Sequence, residues 1–108
     1  MDQNQAPVID ALAEHQRLER YGFTPPAHRQ GRVVDPRVLE VLGGQSFKAD
    51  VVASSGLDDR KSSNGYLSKA EELLAAAVGA DQAFFSTCGS SLSVKAAILA
   101  VTRGEGSS

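Results

Sequence analysis

Phe84-Phe85-Ser86-Thr87-Cys88-Gly89-Ser90-Ser91 reads as a strand that runs into a hydroxyl-lined glycine turn. Beyond it, Val94, Ala97, Ile98 and Val101 recur at the i, i+3, i+4, i+7 spacing of one helix face. A strand–Gly–Ser–Ser–helix junction aims several backbone N–H groups and two hydroxyls at one spot, at the positive end of the helix dipole. That is anion-binding geometry, and phosphate is its usual occupant. A plainer reading stands beside it: serine is a good N-cap, and Gly89 relieves a tight turn. The sequence ends at Ser108, shortly after this helix, so it is expected to supply one part of a site and not the whole.

Bulk properties narrow the field. At 108 residues and 42% hydrophobic content, the chain suits one domain and not two. Its 11 basic and 13 acidic residues leave a net charge of −2, which argues against a nucleic-acid partner. Cys88 is the single cysteine, which excludes an internal disulfide and a multi-cysteine metal cluster and fits a reducing compartment. Met1-Asp2-Gln3-Asn4-Gln5 has neither the basic region nor the apolar core of a signal peptide. No apolar run approaches the ~20 residues that span a bilayer. A cytoplasmic protein with no membrane partner is expected.

Outward from the turn, the clearest helical pattern starts at Tyr66. Leu67, Ala70, Leu73, Leu74, Ala77 and Val78 share a face, Ser68 and Glu71 are placed for a capping box, and Gly79 stops the run. Asp35-Pro36 opens a short helix filled by Val38, Leu39, Val41 and Leu42 and ended by Gly43-Gly44. Pro7 suits a first helical position, and Val8, Ile9, Leu12 and Ala13 form a stripe running towards Arg20. Residues 21–31 hold two prolines and two glycines and are irregular by composition. Phe47 to Ala53 reads as a short extended segment, and Ser54 to Gly65 as a polar turn region. One good strand cannot satisfy its own edge hydrogen bonds. Either the 47–53 segment pairs with it, or further strands lie outside this sequence; the second is favoured.

Several motifs then fall in one order: Pro26-Ala27-His28-Arg29-Gln30-Gly31, Phe47-Lys48-Ala49-Asp50, Gly56-Leu57-Asp58-Asp59, Gly65 before a helix carrying Glu71, Val78-Gly79-Ala80-Asp81, Phe84-Phe85, and Gly89-Ser90-Ser91. That series resembles the N-terminal part of the large domain of Orn/Lys/Arg-type (fold type I) pyridoxal-phosphate-dependent decarboxylases, over roughly Tyr21 to Gly104. The family has Asn-Gly-Thr-Ser where this chain has Cys88-Gly89-Ser90-Ser91, and a proline where it has Ser63. These departures suggest a divergent branch whose substrate differs from lysine, ornithine or arginine.

The resemblance implies an α/β fold: the opening segment of a fold type I large domain, with helices, irregular loops and one clear strand leading into a helix. It implies an N-terminal helical arm over residues 1–20 and a partial large domain over 21–108. Gly89, Ser90 and Ser91 would hold the phosphate of pyridoxal 5'-phosphate, a partial site only. An amino-acid substrate and a homo-oligomer are implied for the complete enzyme. The attachment lysine and the acidic partner of the pyridine nitrogen lie further downstream in that family, so these residues alone are expected to be inactive.

Other residues stay open. Lys95 lies one step (~100°) round its helix from the Val94 stripe and reads as solvated, as do Lys48, Lys61 and Lys69. His28 is a turn residue or lies near an active-site or subunit boundary. Asp58 and Asp59 form a paired-carboxylate site, or else cap, pair with Arg60, or meet a partner subunit. Two rival readings remain: another fold type I enzyme, such as an aminotransferase or lyase, and a non-catalytic remnant or interaction module.

Overall fold

Helices start and stop in this chain where local chemistry demands it. The computed structural model describes residues 1–23, 25–52, 56–58 and 64–103. Among these lie five α-helices: α1 (Pro7–Arg17), α2 (Pro36–Leu42), α3 (Gly44–Ala49), α4 (Tyr66–Val78) and α5 (Gly89–Thr102).

Pro7 occupies the first turn of α1, where its missing N–H costs nothing. Near the other end Arg17 pairs with Glu14 at 2.5 Å, a helical neighbour one turn back. The helix stops there, short of Arg20. Asp35 caps α2 by accepting the Arg37 N–H at 2.9 Å, as the Asp-Pro pair predicts. Gly43, with φ of +75°, ends α2 and in the same step opens α3. Phe47 to Ala53 was expected to be extended; instead Phe47, Lys48 and Ala49 finish α3. The Ser46 hydroxyl donates to the Leu42 carbonyl at 3.1 Å, so α3 begins on the unsatisfied end of α2. Ala53 lies outside the described residues, as do Asp59, Arg60, Lys61, Ser63 and the Gly104 to Ser108 tail.

The start of α4 differs from the expected capping box. Gly65, with φ of +90°, is the N-cap residue, and no side chain caps from that position. Asp58 does the work from outside the helix. Its carboxylate accepts the backbone N–H of Leu67 at 2.9 Å and that of Asn64. Partial burial acts to raise the Asp58 carboxyl. The N–H groups of Leu67, Asn64, Tyr66 and Gly65 outweigh it and hold the group below the ordinary aspartate value. At the far end Gly79, with φ of +70°, closes the helix, and the Ala80 N–H reaches back to the Ala75 carbonyl at 2.9 Å.

Packing is sparse. α1 lies against α4 and against α3, and Gln3 donates to the Leu73 carbonyl at 3.1 Å. Among the described residues only Ala11, Leu73 and Ala75 are buried. The radius of gyration is 18.3 Å, against about 13 Å for a compact chain of this length. No residue of α5 is buried. Its apolar side chains, Leu92, Val94, Ile98, Leu99 and Val101, are distributed round the helix and not confined to the Val94-Ala97-Ile98-Val101 face. A helix apolar on all sides belongs in an interior.

The expected strand at Ala83 to Thr87 is also absent: these residues are neither helix nor strand, and no strand occurs among the described residues. A strand exists only as part of a ladder, and no neighbouring strand is there to complete one.

Two outcomes follow for measurement. The Asp58 carboxyl is depressed in the folded state, so its contribution is complete above the unfolded pKa and is lost as pH falls through the folded one. After correction for intrinsic rates, hydrogen exchange at the Leu67 amide should therefore quicken as the solution is acidified below the aspartate range. Asp58→Ala should remove that pH response at a cost of about 1 kcal/mol to the first turn of α4. An unchanged Leu67 amide in the variant contradicts the capping role. Separately, the exposed apolar side chains should make the 108-residue chain bind a hydrophobic dye and self-associate. Sedimentation as a compact monomer with cooperative unfolding would contradict this.

Candidate functional site

The first turn of α5 presents the groups that the sequence singled out. Gly89 takes a φ of +81°, which a side chain rarely tolerates, and a Cβ built there would meet nothing within 4 Å. The backbone is thus open to a close approach from outside. Cys88, exposed and in no disulfide, occupies the N-cap position, and its side chain makes no capping bond. A helix leaves its first four N–H groups without partners inside the helix. Ser90 and Ser91 are both exposed within that turn. The Ser86 hydroxyl leans on the Gly89 carbonyl at 3.4 Å, at the edge of hydrogen-bond reach. A 14-residue helix behind this turn directs its dipole at the same spot.

What holds the approach to α5 in place is Glu71. Its carboxylate accepts the Phe85 N–H at 3.0 Å across 14 residues of sequence. Glu71 was expected to cap its own helix through Ser68; it ties α4 to the irregular segment that leads into the turn. An unpaired segment here finds one of its backbone partners in a side chain.

His28 is set in a second cluster. Its Nδ1 accepts the Gly31 N–H at 3.3 Å, which leaves Nε2 as the protonated nitrogen facing Asp50 Oδ2 at 2.8 Å. The ring meets Phe47 edge-on, with centroids 5.1 Å apart. With both nitrogens hydrogen-bonded, the imidazole ties the turn to Asp50. Arg29, Gln30 and Gly31 all take positive φ there, and a Cβ at Gly31 would stand 3.3 Å from the Phe47 Cβ. Only glycine fits that approach without a shift. Sequence reasoning had no role for Asp50, because its partner lies 22 residues away.

Lys95 is the one charged residue of α5 and is exposed, as are the residues of the stripe expected to be buried. Asp58 is engaged with backbone at the start of α4, which favours the capping reading; Asp59 lies outside the described residues. No group of His, Cys, Asp and Glu suited to a metal ion occurs among the described residues. No helix among them is long and apolar enough to cross a membrane.

Comparison with known proteins places this arrangement. Residues 6–107 match the Orn/Lys/Arg decarboxylase major domain, which is nearly the whole chain. The chain belongs to that family. It is 34% identical over 101 residues to an arginine decarboxylase of Bacillus cereus, covering 94% of this chain and 22% of the relative. An arginine decarboxylase of Bacillus subtilis is 31% identical over 101 residues, covering 94% of this chain and 21% of the relative. The chain therefore spans about a fifth of the length of these curated relatives. No solved structure matches it.

The tie between Glu71 and Phe85 is open to direct test. Glu71→Ala should speed hydrogen exchange at the Phe85 amide while leaving the helicity of α4 intact. Lost helicity with an unchanged Phe85 amide would restore the capping-box reading.

Proposed function

We propose that this chain is the N-terminal segment of a pyridoxal-phosphate-dependent amino-acid decarboxylase, in which Gly89, Ser90 and Ser91 receive the cofactor phosphate. The supporting observation is the start of α5, where the N-cap side chain makes no capping bond. A positive-φ glycine leaves room beside it, two hydroxyls stand exposed, and the first-turn N–H groups have no side-chain acceptor at the cap. That donor set fits a phosphate, which takes charge-assisted hydrogen bonds from N–H and O–H groups at a helix start.

When bound, the cofactor supplies an electron sink for the pair left behind as the α-carboxylate departs as carbon dioxide. The part of these residues is to bind and orient. Gly89 lets the phosphate come close to backbone, Ser90 and Ser91 donate to it, and the α5 dipole favours its charge. Glu71, by holding Phe85, limits the swing of the segment that carries the cup. The exposed faces of α5 and the Phe84 and Phe85 side chains pack against the remainder of a fold type I domain or a second subunit, giving a cytoplasmic homo-oligomer. In this reading residues 1–20 are an arm and 21–108 the opening of the large domain. The relatives' name makes arginine the first substrate to assay.

Catalysis requires a lysine at the cofactor aldehyde with its pKa lowered by its surroundings. Lys95 is exposed, and Lys69 stands 3.9 Å from Glu72 on the surface of α4. Neither is placed for that role. In a complete enzyme carrying this segment, Ser90→Ala with Ser91→Ala should weaken pyridoxal phosphate by about 1–3 kcal/mol per bond lost. Fluorescence titration of the apoenzyme measures it, and unchanged affinity in the double variant would sink the assignment.

A further inference from the structure

The cationic residues of an acidic chain are not evenly spread. Between α1, the turn at residues 28–32 and α3 lies an open cleft of about 540 Å³, lined by Arg17, Arg20, Arg32 and Lys48 with Glu19 as its one carboxylate. Four of the chain's 11 basic residues thus face one hollow, while the chain as a whole carries −2. Like charges gathered round a concave surface repel one another, and a low-dielectric wall focuses their field into the hollow.

Two of the four are already oriented. Arg17 is held by Glu14. The Arg32 guanidinium stacks over the Tyr21 ring at 5.0 Å and donates to the Gln30 side-chain carbonyl at 3.3 Å. A guanidinium stacked in this way loses less freedom when it meets an anion. Arg20 and Lys48 meet no carboxylate within salt-bridge distance among the described residues. Among the described residues the cleft therefore holds two cations without a salt-bridge partner, one pre-oriented clamp, and neutral amide donors from Gln30 and Gln45 at its wall.

We propose that this cleft binds a small phosphorylated ligand with two or more negative charges, paired directly by Arg20 and Lys48 and clamped by Arg32. Phosphate is favoured over carboxylate because the cationic residues lining the cleft come from three separate elements, and a phosphate group offers oxygens in three directions. The cleft shares no residue with the α5 turn, so this assignment stands independently of the cofactor reading.

Inorganic pyrophosphate is the probe, titrated into the protein at low ionic strength by equilibrium dialysis, with citrate as the carboxylate control. One saturable pyrophosphate site is expected, weakening as salt is added. Arg20→Ala with Lys48→Ala should lower affinity at least about tenfold, as loss of two charge-assisted contacts requires. Arg20→Lys with Lys48→Arg should retain most of the binding, and Ser90→Ala with Ser91→Ala should leave it unchanged. Circular dichroism shows whether each variant keeps its helices. Should the alanine pair lose them, Arg32→Gln, which lies outside every helix, gives the second reading and should also weaken binding. Absence of saturable binding, binding untouched by either set of variants, or citrate bound as tightly as pyrophosphate would each overturn the proposal.

Discussion

The carboxylate of Asp58 sits at the head of α4 and accepts backbone N–H groups that a helix start cannot satisfy for itself. α4 is in turn the support for its neighbours. Its Leu73 and Ala75 are two of the three buried residues among those described, α1 lies along it, and Gln3 is fastened to the Leu73 carbonyl. From the same helix Glu71 reaches out to the Phe85 N–H and so places the segment that enters α5. A carboxylate at the start of one helix thus bears indirectly on the start of another.

Against this hydrogen-bonded order stands a near absence of apolar burial. Phe23 is 86% exposed, Phe84 77% and Val101 74%. Hydrophobic burial is the dominant favourable term in folding. With three buried residues among those described, the structure draws little from it, and its local order is held by caps, turns and side-chain-to-backbone bonds. The curated arginine decarboxylases that the chain matches are about five times as long.

Charge is organised along the same lines. Asp35, Asp58 and Glu71 all direct carboxylates at backbone N–H groups, where a fixed geometry rewards a short acceptor. Basic residues have no such use at helix starts, and several gather in the hollow beside α1. The net charge of −2 conceals this, because a sum carries no information about placement.

The helices were legible wherever their signals are local. Pro7, Asp35-Pro36 and Gly43, Gly79 and Gly89 each act within one turn of chain, through a restricted φ, a missing N–H or a left-handed cap, and they mark the observed ends of α1, α2, α4 and α5. The ordered motifs likewise carried the family. Other features were decided only by tertiary structure. Apolar periodicity announced α5 but could not say which face is buried, since burial needs a neighbour. The pattern at Phe84-Phe85 suited a strand, yet a strand is a relation between two segments. Asp50 meets His28 across 22 residues and Glu71 meets Phe85 across 14, and no spacing rule links such pairs. Sequence determined where the backbone could turn and cap, because those preferences act over a few bonds; the partners of each carboxylate and cation were decided in space, because Coulomb attraction and hydrogen bonding act through it.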